Sequence, residues 1–289
     1  MPPEPCAPAI NHTKTSRAYG LDDAAFTRTA DLVRRACGIK LSQTKSNLIV
    51  SRLGRRVKSL NFPDFHAYLD FVESQAGRDE QRKMTSLLTT NVTRFFREPH
   101  HFESLRKDVL PRLAAKAKSG AEVRIWSAGC SSGEEALSIG MTVLKLCPDA
   151  PNLDVRILGT DLDPMSLQTA RHAAYSAASL ENVAKDLRDQ FFEPVDDGSS
   201  FRATSRLRDL VTYAELNLIE PWPMQRPFDV IFCRNVMIYF DNATQSALWP
   251  RFAAALRPGS MLCIGHSERL SGPGATQFEA AGITQYRRL

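Results

Sequence analysis

From Val123 onward short apolar segments alternate with helical stretches, and that alternation constrains the fold more than any other feature of the 289 residues. The candidate strands are Val123–Ala128, Val155–Thr160, Leu210–Leu216, Phe228–Cys233 and Ser260–Gly265. Between several of them lie helical patterns, at Glu134–Leu146, Pro164–Ala173 and Thr244–Leu256. Strands apolar along their length, joined by helical crossovers, predict a mostly parallel sheet covered on both faces, an α/β fold. Phe278–Arg287 predicts a last, antiparallel edge strand. The stretch from Tyr175 to Asp209 fits no crossover. Its acidic helix-like part ends near Phe192, and Pro194–Leu207, with Gly198, predicts a hairpin. Residues 175–209 therefore read as a small antiparallel β subdomain inserted in the main domain, 89–289.

The first third of the chain is different. Residues 1–20 hold four prolines and no apolar core segment, which predicts a disordered tail and not a secretory signal. Residues 21–88 predict an all-α domain. Asp22 or Asp23 can cap a first helix that stops at Gly38. A second runs from about Ser46 to Leu60, with Ile49, Val50, Leu53, Val57 and Leu60 in one arc. A third runs from near Asp64 to Gly77, and a fourth covers roughly Arg78 to Thr90. The net charge of +5 lies wholly here: residues 1–88 carry 14 Lys and Arg against 9 Asp and Glu. From Leu32 to Pro63 there are eight basic residues and no acid, and Arg52, Arg55 and Arg56 share one side of the second helix. Such a block predicts a binding surface for something acidic.

No apolar run reaches the ~18 residues of a membrane span, so no membrane insertion is expected. The six cysteines (Cys6, Cys37, Cys130, Cys147, Cys233, Cys263) form no CxxC pair, which predicts free thiols in a reducing compartment, the cytoplasm. The six histidines show no metal-ligand spacing, and His100 and His101 would project in different directions on a helix. No metal is expected. Ser267, in Gly-His-Ser-Glu, is not a nucleophile turn, so a hydrolase is not expected. Phe95 and Phe96 are expected to pack between domains.

Small residues at the turn after the first strand, Ala128-Gly129-Cys130-Ser131-Ser132-Gly133, would let a ligand approach the backbone closely. Asp161, at the tip of the second strand, could accept hydrogen bonds from both hydroxyls of a ribose. The loop is not GxGxxG, and Glu134-Glu135 at the helix start would repel a pyrophosphate. A cofactor with no phosphate and a cationic end, S-adenosylmethionine (SAM), suits these carboxylates better than a dinucleotide. Arg234, Asn235 and Tyr239 follow the fourth strand, at the carboxyl edge where open α/β sheets bind ligands.

In chain order stand TTNVTRFFRE (from Thr89), WSAGCSSGEE (from Trp126), GTDLD (from Gly159), ELNL (from Glu215) and FDVIFCRNVMIYF (from Phe228). Together they resemble the CheR-type chemotaxis receptor (protein-glutamate) O-methyltransferases. Gly38-Ile39-x-Leu41, Arg52-Leu53-x-x-Arg56 and Phe65-x-x-Tyr68-Leu69 extend the resemblance into the helical domain. Ala136-Leu137 departs from it, standing where the family commonly has Pro-Tyr. The resemblance implies a Rossmann-like SAM-dependent methyltransferase fold with an N-terminal all-α domain and an inserted β subdomain. It implies that Asn91, Thr93, Arg97, Glu135, Asp161, Asn217, Leu218, Arg234 and Asn235 line the cofactor site. Tyr239 would sit near the transferred methyl and Arg97 would orient a carboxylate, these two being the catalytic candidates.

The implied reaction converts glutamate side chains of chemoreceptors to γ-methyl esters and leaves S-adenosylhomocysteine. A carboxylate with a pKa near ~4.3 needs no general base at neutral pH. Arg52, Arg55 and Arg56 would dock the acidic methylation helices of the receptor. The enzyme is expected to be a cytoplasmic monomer recruited to membrane receptor arrays. A nucleic-acid methyltransferase is disfavoured because no Asn/Asp-Pro-Pro-Tyr element follows the fourth strand, so no nucleic-acid partner is expected. A non-catalytic SAM-binding adaptor is disfavoured because Arg97, Asp161 and Tyr239 are all present.

Overall fold

A computed structural model describes residues 20–89, 91–195 and 198–289. The expected disordered tail, apart from Gly20, and Asp196-Asp197 of the inserted hairpin lie outside the described residues. The described chain forms two compact units, residues 20–32 with Ser42–Leu88, and Val33–Leu41 with Thr89–Leu289.

In the first unit, Asp22 Oδ1 accepts the Ala25 N–H at 2.8 Å and so begins α1 (Asp23–Cys37). Helix α2 (Ser46–Ser59) buries Ile49, Leu53 and Val57, the apolar arc expected of it. In α3 (Phe65–Glu73), Asp64 caps the start, and Phe65, Tyr68, Leu69 and Val72 are buried. This helix stops four residues short of the expected Gly77. Ser74 accepts the Gly77 N–H and starts a separate 3-10 turn. Helix α4 (Arg78–Leu88) buries Met84 and Leu88 and also Glu80, an acid in an apolar core.

Glu80 changes the expected basic face. Arg56 donates to its two oxygens at 2.9 and 2.6 Å, and the Tyr68 hydroxyl donates at 3.0 Å. Burial pushes the Glu80 carboxyl up, but the hydrogen bonds from Arg56 and Tyr68 outweigh it and leave it below the usual glutamate value. Arg56 is thus tied inward. Arg52 is half-buried and donates to the Leu87 carbonyl at 2.9 Å, while Arg55 and Lys58 are exposed. A stretch free of acids in sequence has one supplied from 24 residues further on.

The second unit opens with α5 (Pro99–Ser104) and α6 (Leu110–Lys118), joined by a wider turn at Leu105–Val109. There follow β1 (Val123–Ala128), α7 (Glu134–Leu146), β2 (Val155–Asp161) and α8 (Pro164–His172). The insert carries β3 (Ala174–Ser176), α9 (Lys185–Phe191), β4 (Phe192–Val195), β5 (Ser200–Ala203) and α10 (Ser205–Arg208). The main sheet resumes with β6 (Val211–Glu215), β7 (Phe228–Cys233), α11 (Asn242–Ala255), β8 (Leu256–Ile264), β9 (Phe278–Gly282) and β10 (Gln285–Arg288). Seven strands lie in the order β6-β2-β1-β7-β8-β10-β9. From β6 to β8 all neighbours are parallel, and β10 is antiparallel to β8 and β9. The sequence order reverses beside β1, which makes the β1/β7 boundary the switch point where such sheets bind ligands.

Three expectations need correction. The single edge strand at 278–287 is a hairpin that turns at Ile283-Thr284, with β10 lying between β8 and β9. The insert is not a hairpin alone, because β3 joins it in the order β3-β5-β4. Phe95 and Phe96, expected between domains, have their ring partners inside the second unit. The Phe95 ring stands 5.0 Å from Tyr175 and 5.6 Å from Phe192, and Phe96 stands 5.2 Å from Phe102, all within the second unit.

Candidate active site

The carboxyl ends of β1, β2, β6 and β7 open into one cleft of about 1060 Å³, its mouth included. Asn91, Thr93, Arg97, Glu135, Asp161, Asn217, Leu218, Arg234, Asn235 and Tyr239 all line it. Residues separated by up to 148 positions of sequence thus meet in one place. Sequence reasoning missed Cys37, Ile39, Val236 and Ile238, which also line the cleft. Ile39 is bridged to Phe240, and the Lys40 N–H donates to the Tyr239 carbonyl at 2.8 Å. Gly38-Ile39-x-Leu41, assigned above to the helical domain, therefore belongs with the cleft.

The turn after β1 is held by its neighbour β2. Gly129 and Cys130 both donate to the Thr160 carbonyl, at 2.7 and 2.8 Å. Gly129 has φ +79°, and a Cβ there would lie 2.3 Å from a Val236 methyl, so only glycine lets this turn and the loop after β7 meet. Asp161 accepts the Ser131 N–H at 2.8 Å through one oxygen and the Asp163 N–H at 2.9 Å through the other. Burial raises its carboxyl, and these two N–H groups counter part of that. Each oxygen keeps a second lone pair for a ligand. Asn91 clamps the wall beside it. Its amide donates to Asp163 at 2.7 Å and to Ser166 at 2.8 Å, joining the entry segment to the capped start of α8. On the β6 side, the Asn217 amide donates to the Ala36 carbonyl at 2.7 Å.

Arg234, in the wall of the cleft, is deeply enclosed, its side chain 2% exposed. Its Nε donates to Glu135 at 2.6 Å, and Glu135 also accepts from the Ser127 hydroxyl at 2.6 Å. Its Nη1 donates to the Arg97 carbonyl at 2.5 Å and to His101 Nδ1 at 3.1 Å, and its carbon lies over the Phe102 and Phe232 rings. Burial and the charge of Arg234 push His101 down to about 3. The imidazole is therefore neutral, with Nδ1 as the acceptor and its proton on Nε2 facing Thr284 at 2.9 Å. Glu135, one of two carboxylates read above as attracting a cation, is already half engaged by this protein cation.

Glu98, His100 and His101 bring ligand-type atoms within 4.8 Å of one another. The two imidazole rings lie 4.1 Å apart, contrary to the expectation that they diverge. Glu98, at φ +58°, stands immediately before Pro99 at the start of that helix. Arg234 stands among these groups, 3.1 Å from His101 and 3.6 Å from Glu98, and its fixed charge opposes a metal ion there. Glu98 is held instead by His266, whose ring nitrogen lies 2.8 Å away.

Among the described residues seven other than glycine have positive φ, and Phe96, Glu98, Ser131 and Asn235 are four of them, all in segments that build the cleft or its supports. Backbone strain of this kind persists only where the surroundings enforce it. The enforcing group for Asn235 is Glu268. Its carboxylate, 5% exposed, accepts the N–H groups of Gly265, Asn235, Val236, Met237 and Ile238. The signal for it was the acid three residues past Gly265 at a strand's carboxyl end.

An acid at the tip of the second strand, a glycine turn with bare backbone, and a phosphate-repelling helix start define a site for an adenosyl group with a cationic end. This is the class of SAM-dependent methyltransferases. Two family models match the chain: "CheR methyltransferase, all-alpha domain" over residues 24–89 and "CheR methyltransferase, SAM binding domain" over residues 91–287. The chain is 49% identical over 252 residues to a "Probable chemotaxis protein methyltransferase" of Rhizobium etli, covering 86% of this chain and 94% of that one. It is 36% identical to a "Chemotaxis protein methyltransferase" of Borreliella burgdorferi, covering 91% and 94%, and 37% identical to that of Escherichia coli, covering 92% of each. The chain belongs to the CheR methyltransferase family, and it is an enzyme whose cofactor is SAM.

Proposed function

We propose that this enzyme methylates glutamate side chains of chemoreceptors, forming γ-methyl esters and S-adenosylhomocysteine. The observation that carries the reading is the lack of a base in the cleft. Among the described lining residues there is no histidine and no lysine. Asp161 and Glu135 each hold hydrogen bonds to the protein, and burial pushes the Cys37 thiol up to about 11, so it stays neutral. A nucleophile entering such a cleft must arrive already ionised, as a carboxylate does at neutral pH. An amine would arrive protonated or unpolarised. The relatives named as chemotaxis protein methyltransferases support a chemoreceptor as the substrate.

SAM, when bound, supplies an electrophilic methyl on a sulfonium. Asp161 accepts from the ribose hydroxyls, and Asn91, Thr93, Asn217, Leu218 and Asn235 shape the surrounding walls. Glu135 takes the cofactor's ammonium on the lone pairs that Ser127 and Arg234 leave open. Arg97 orients a carboxylate, positioning rather than activating it, since a guanidinium pressed on the nucleophile would stabilise the ground state. Tyr239 shapes the space around the methyl. Excluding water and aligning the partners supply the acceleration. Arg52 and Arg55, with Lys58, form the docking face for acidic receptor helices, and Arg56 supports it from within through Glu80. The protein works in the cytoplasm as a monomer, recruited to receptor arrays; no helix among the described residues is long and apolar enough to cross a membrane.

The test is radiolabelled SAM with receptor-containing membranes, followed by alkaline treatment. Label released as methanol supports a carboxyl ester. Alkali-stable label would replace the reading with amine methylation, and no label with cofactor still bound would leave an adaptor.

A further inference from the structure

The loop after β7 carries Arg234, Asn235 and Tyr239, and a single 3-10 turn at Met237–Tyr239 is the only regular structure in it. Four consecutive N–H groups, from Asn235 to Ile238, turn away from the cleft and converge on the Glu268 carboxylate at 3.1, 2.9, 2.8 and 3.3 Å. The Gly265 N–H joins them at 2.5 Å. One buried anion thus does for this loop what a side-chain cap does for a helix, but from a different strand end and for twice as many donors. The approach is so close that a Cβ at Gly265 would lie 2.6 Å from the Asn235 amide nitrogen, 2.8 Å from its backbone nitrogen and 2.9 Å from Glu268. Asn235 is held there at φ +59°.

We propose that Glu268 is the positioning residue of the methyl-transfer site: its charge fixes the 235–238 backbone, and through it the placement of Asn235 and Tyr239 in the cleft. The inference rests on the function proposed above. Burial raises the Glu268 carboxyl, and the N–H groups of Gly265, Asn235, Ile238 and Met237 counter this in part. A neutral amide of the same shape would turn two hydrogens of its own toward the N–H groups of Gly265 and Asn235. Donor would then face donor in a buried space, and the loop would relax out of its strained conformation.

Glu268→Gln decides the matter, with Ser267→Ala, at the exposed neighbour, as control. Rates are expressed per folded molecule, counted by the stoichiometry of S-adenosylhomocysteine binding. The expected result is a fall in kcat of tenfold or more, with receptor KM within threefold of wild type and Ser267→Ala unchanged. Gly265→Ala, which crowds the same loop while the carboxylate keeps its charge, should show the same split. A wild-type kcat per folded molecule in Glu268→Gln would overturn the proposal, making the carboxylate a prop for stability alone. Failure of both variants to fold would overturn it too, in favour of a role in the whole domain. Absence of receptor methylation by the wild-type enzyme would instead strike the function reading and is seen before any variant is made.

Discussion

Arg55 on α2 and Arg234 in the cleft are the same side chain in opposite circumstances. Arg55 is exposed, and its contact is a 3.4 Å hydrogen bond to Ser51 of its own helix. Arg234 is enclosed by two carboxylates, a backbone carbonyl, a neutral imidazole and two rings. The first contributes to a field that reaches outward and that salt screens over about 8 Å. The second makes a local fixture that salt hardly touches. Counting charges along a sequence treats them alike, whereas the cost of changing them differs by several kcal/mol.

Arg234→Met should open the widest gap. It leaves the side chains of Glu135 and Glu98, 9% and 10% exposed, without their cation. Removing one partner of a buried pair costs about 3–5 kcal/mol, read as a lowered urea midpoint. A loss smaller than that of an exposed charge would erase the distinction drawn between the two regions. Asp161→Ala should weaken SAM binding by about 1.5–3 kcal/mol, roughly ten- to a hundredfold by calorimetry, with the fold retained. Unchanged affinity in a folded variant would remove Asp161 from the cofactor site.

Arg56→Met tests whether the helical unit has a fixture of its own. Its side chain is 29% exposed, so the loss should be smaller, about 1–2 kcal/mol after allowance for solvent. The Glu80 carboxyl lies below its ordinary 4.5 in the folded unit. Its contribution is therefore full above that pH and is lost as the pH falls beneath it. Wild type should lose stability on that acid limb, and the variant should show a flatter slope in urea melts taken at stepped pH. Equal slopes would mean that Arg56 does not govern Glu80. The smallest structural effect belongs to Arg52→Glu with Arg55→Glu. Melting should barely move, SAM affinity should hold, and receptor KM should rise roughly threefold to tenfold, with a shallower dependence on salt. Indifference of KM to both charge and salt would make this face ordinary solvated surface.

What could be read in advance followed from local rules. Apolar runs became β1, β2, β6 and β7, the strand tips fell where their small and acidic residues lay, and the buried face of α2 matched its arc. What could not be read was set by partners far away in sequence. The three acid-free decades around α2 meet Glu80, and Glu135 meets Arg234 across 99 positions. Strand β3 has three residues, too few to show a period, and it exists because β5 offers it an edge. Ile283-Thr284 looked like the middle of a strand because a two-residue turn need not interrupt an apolar pattern. Beyond its place after a strand end, Glu268 carries no local signal because the N–H groups it accepts from, Asn235 to Ile238, lie some thirty positions earlier in the chain.

The sheet order has a consequence for how the enzyme comes into being. Strands β1 and β7 lie side by side, yet about a hundred residues separate them, and the insert and β6 are made in between. Contacts between distant parts of a chain form late, since a large loop must close before they give any return in stability. The walls of the cleft are thus completed only when β7 docks on β1 and brings Arg234 to Glu135. A chain still growing from the ribosome, with β2 and Asp161 already made, has the acid of the cleft but lacks the wall that Arg234, Asn235 and Tyr239 supply. The cleft is thus a late product of folding, complete only when the last parallel strands are in place.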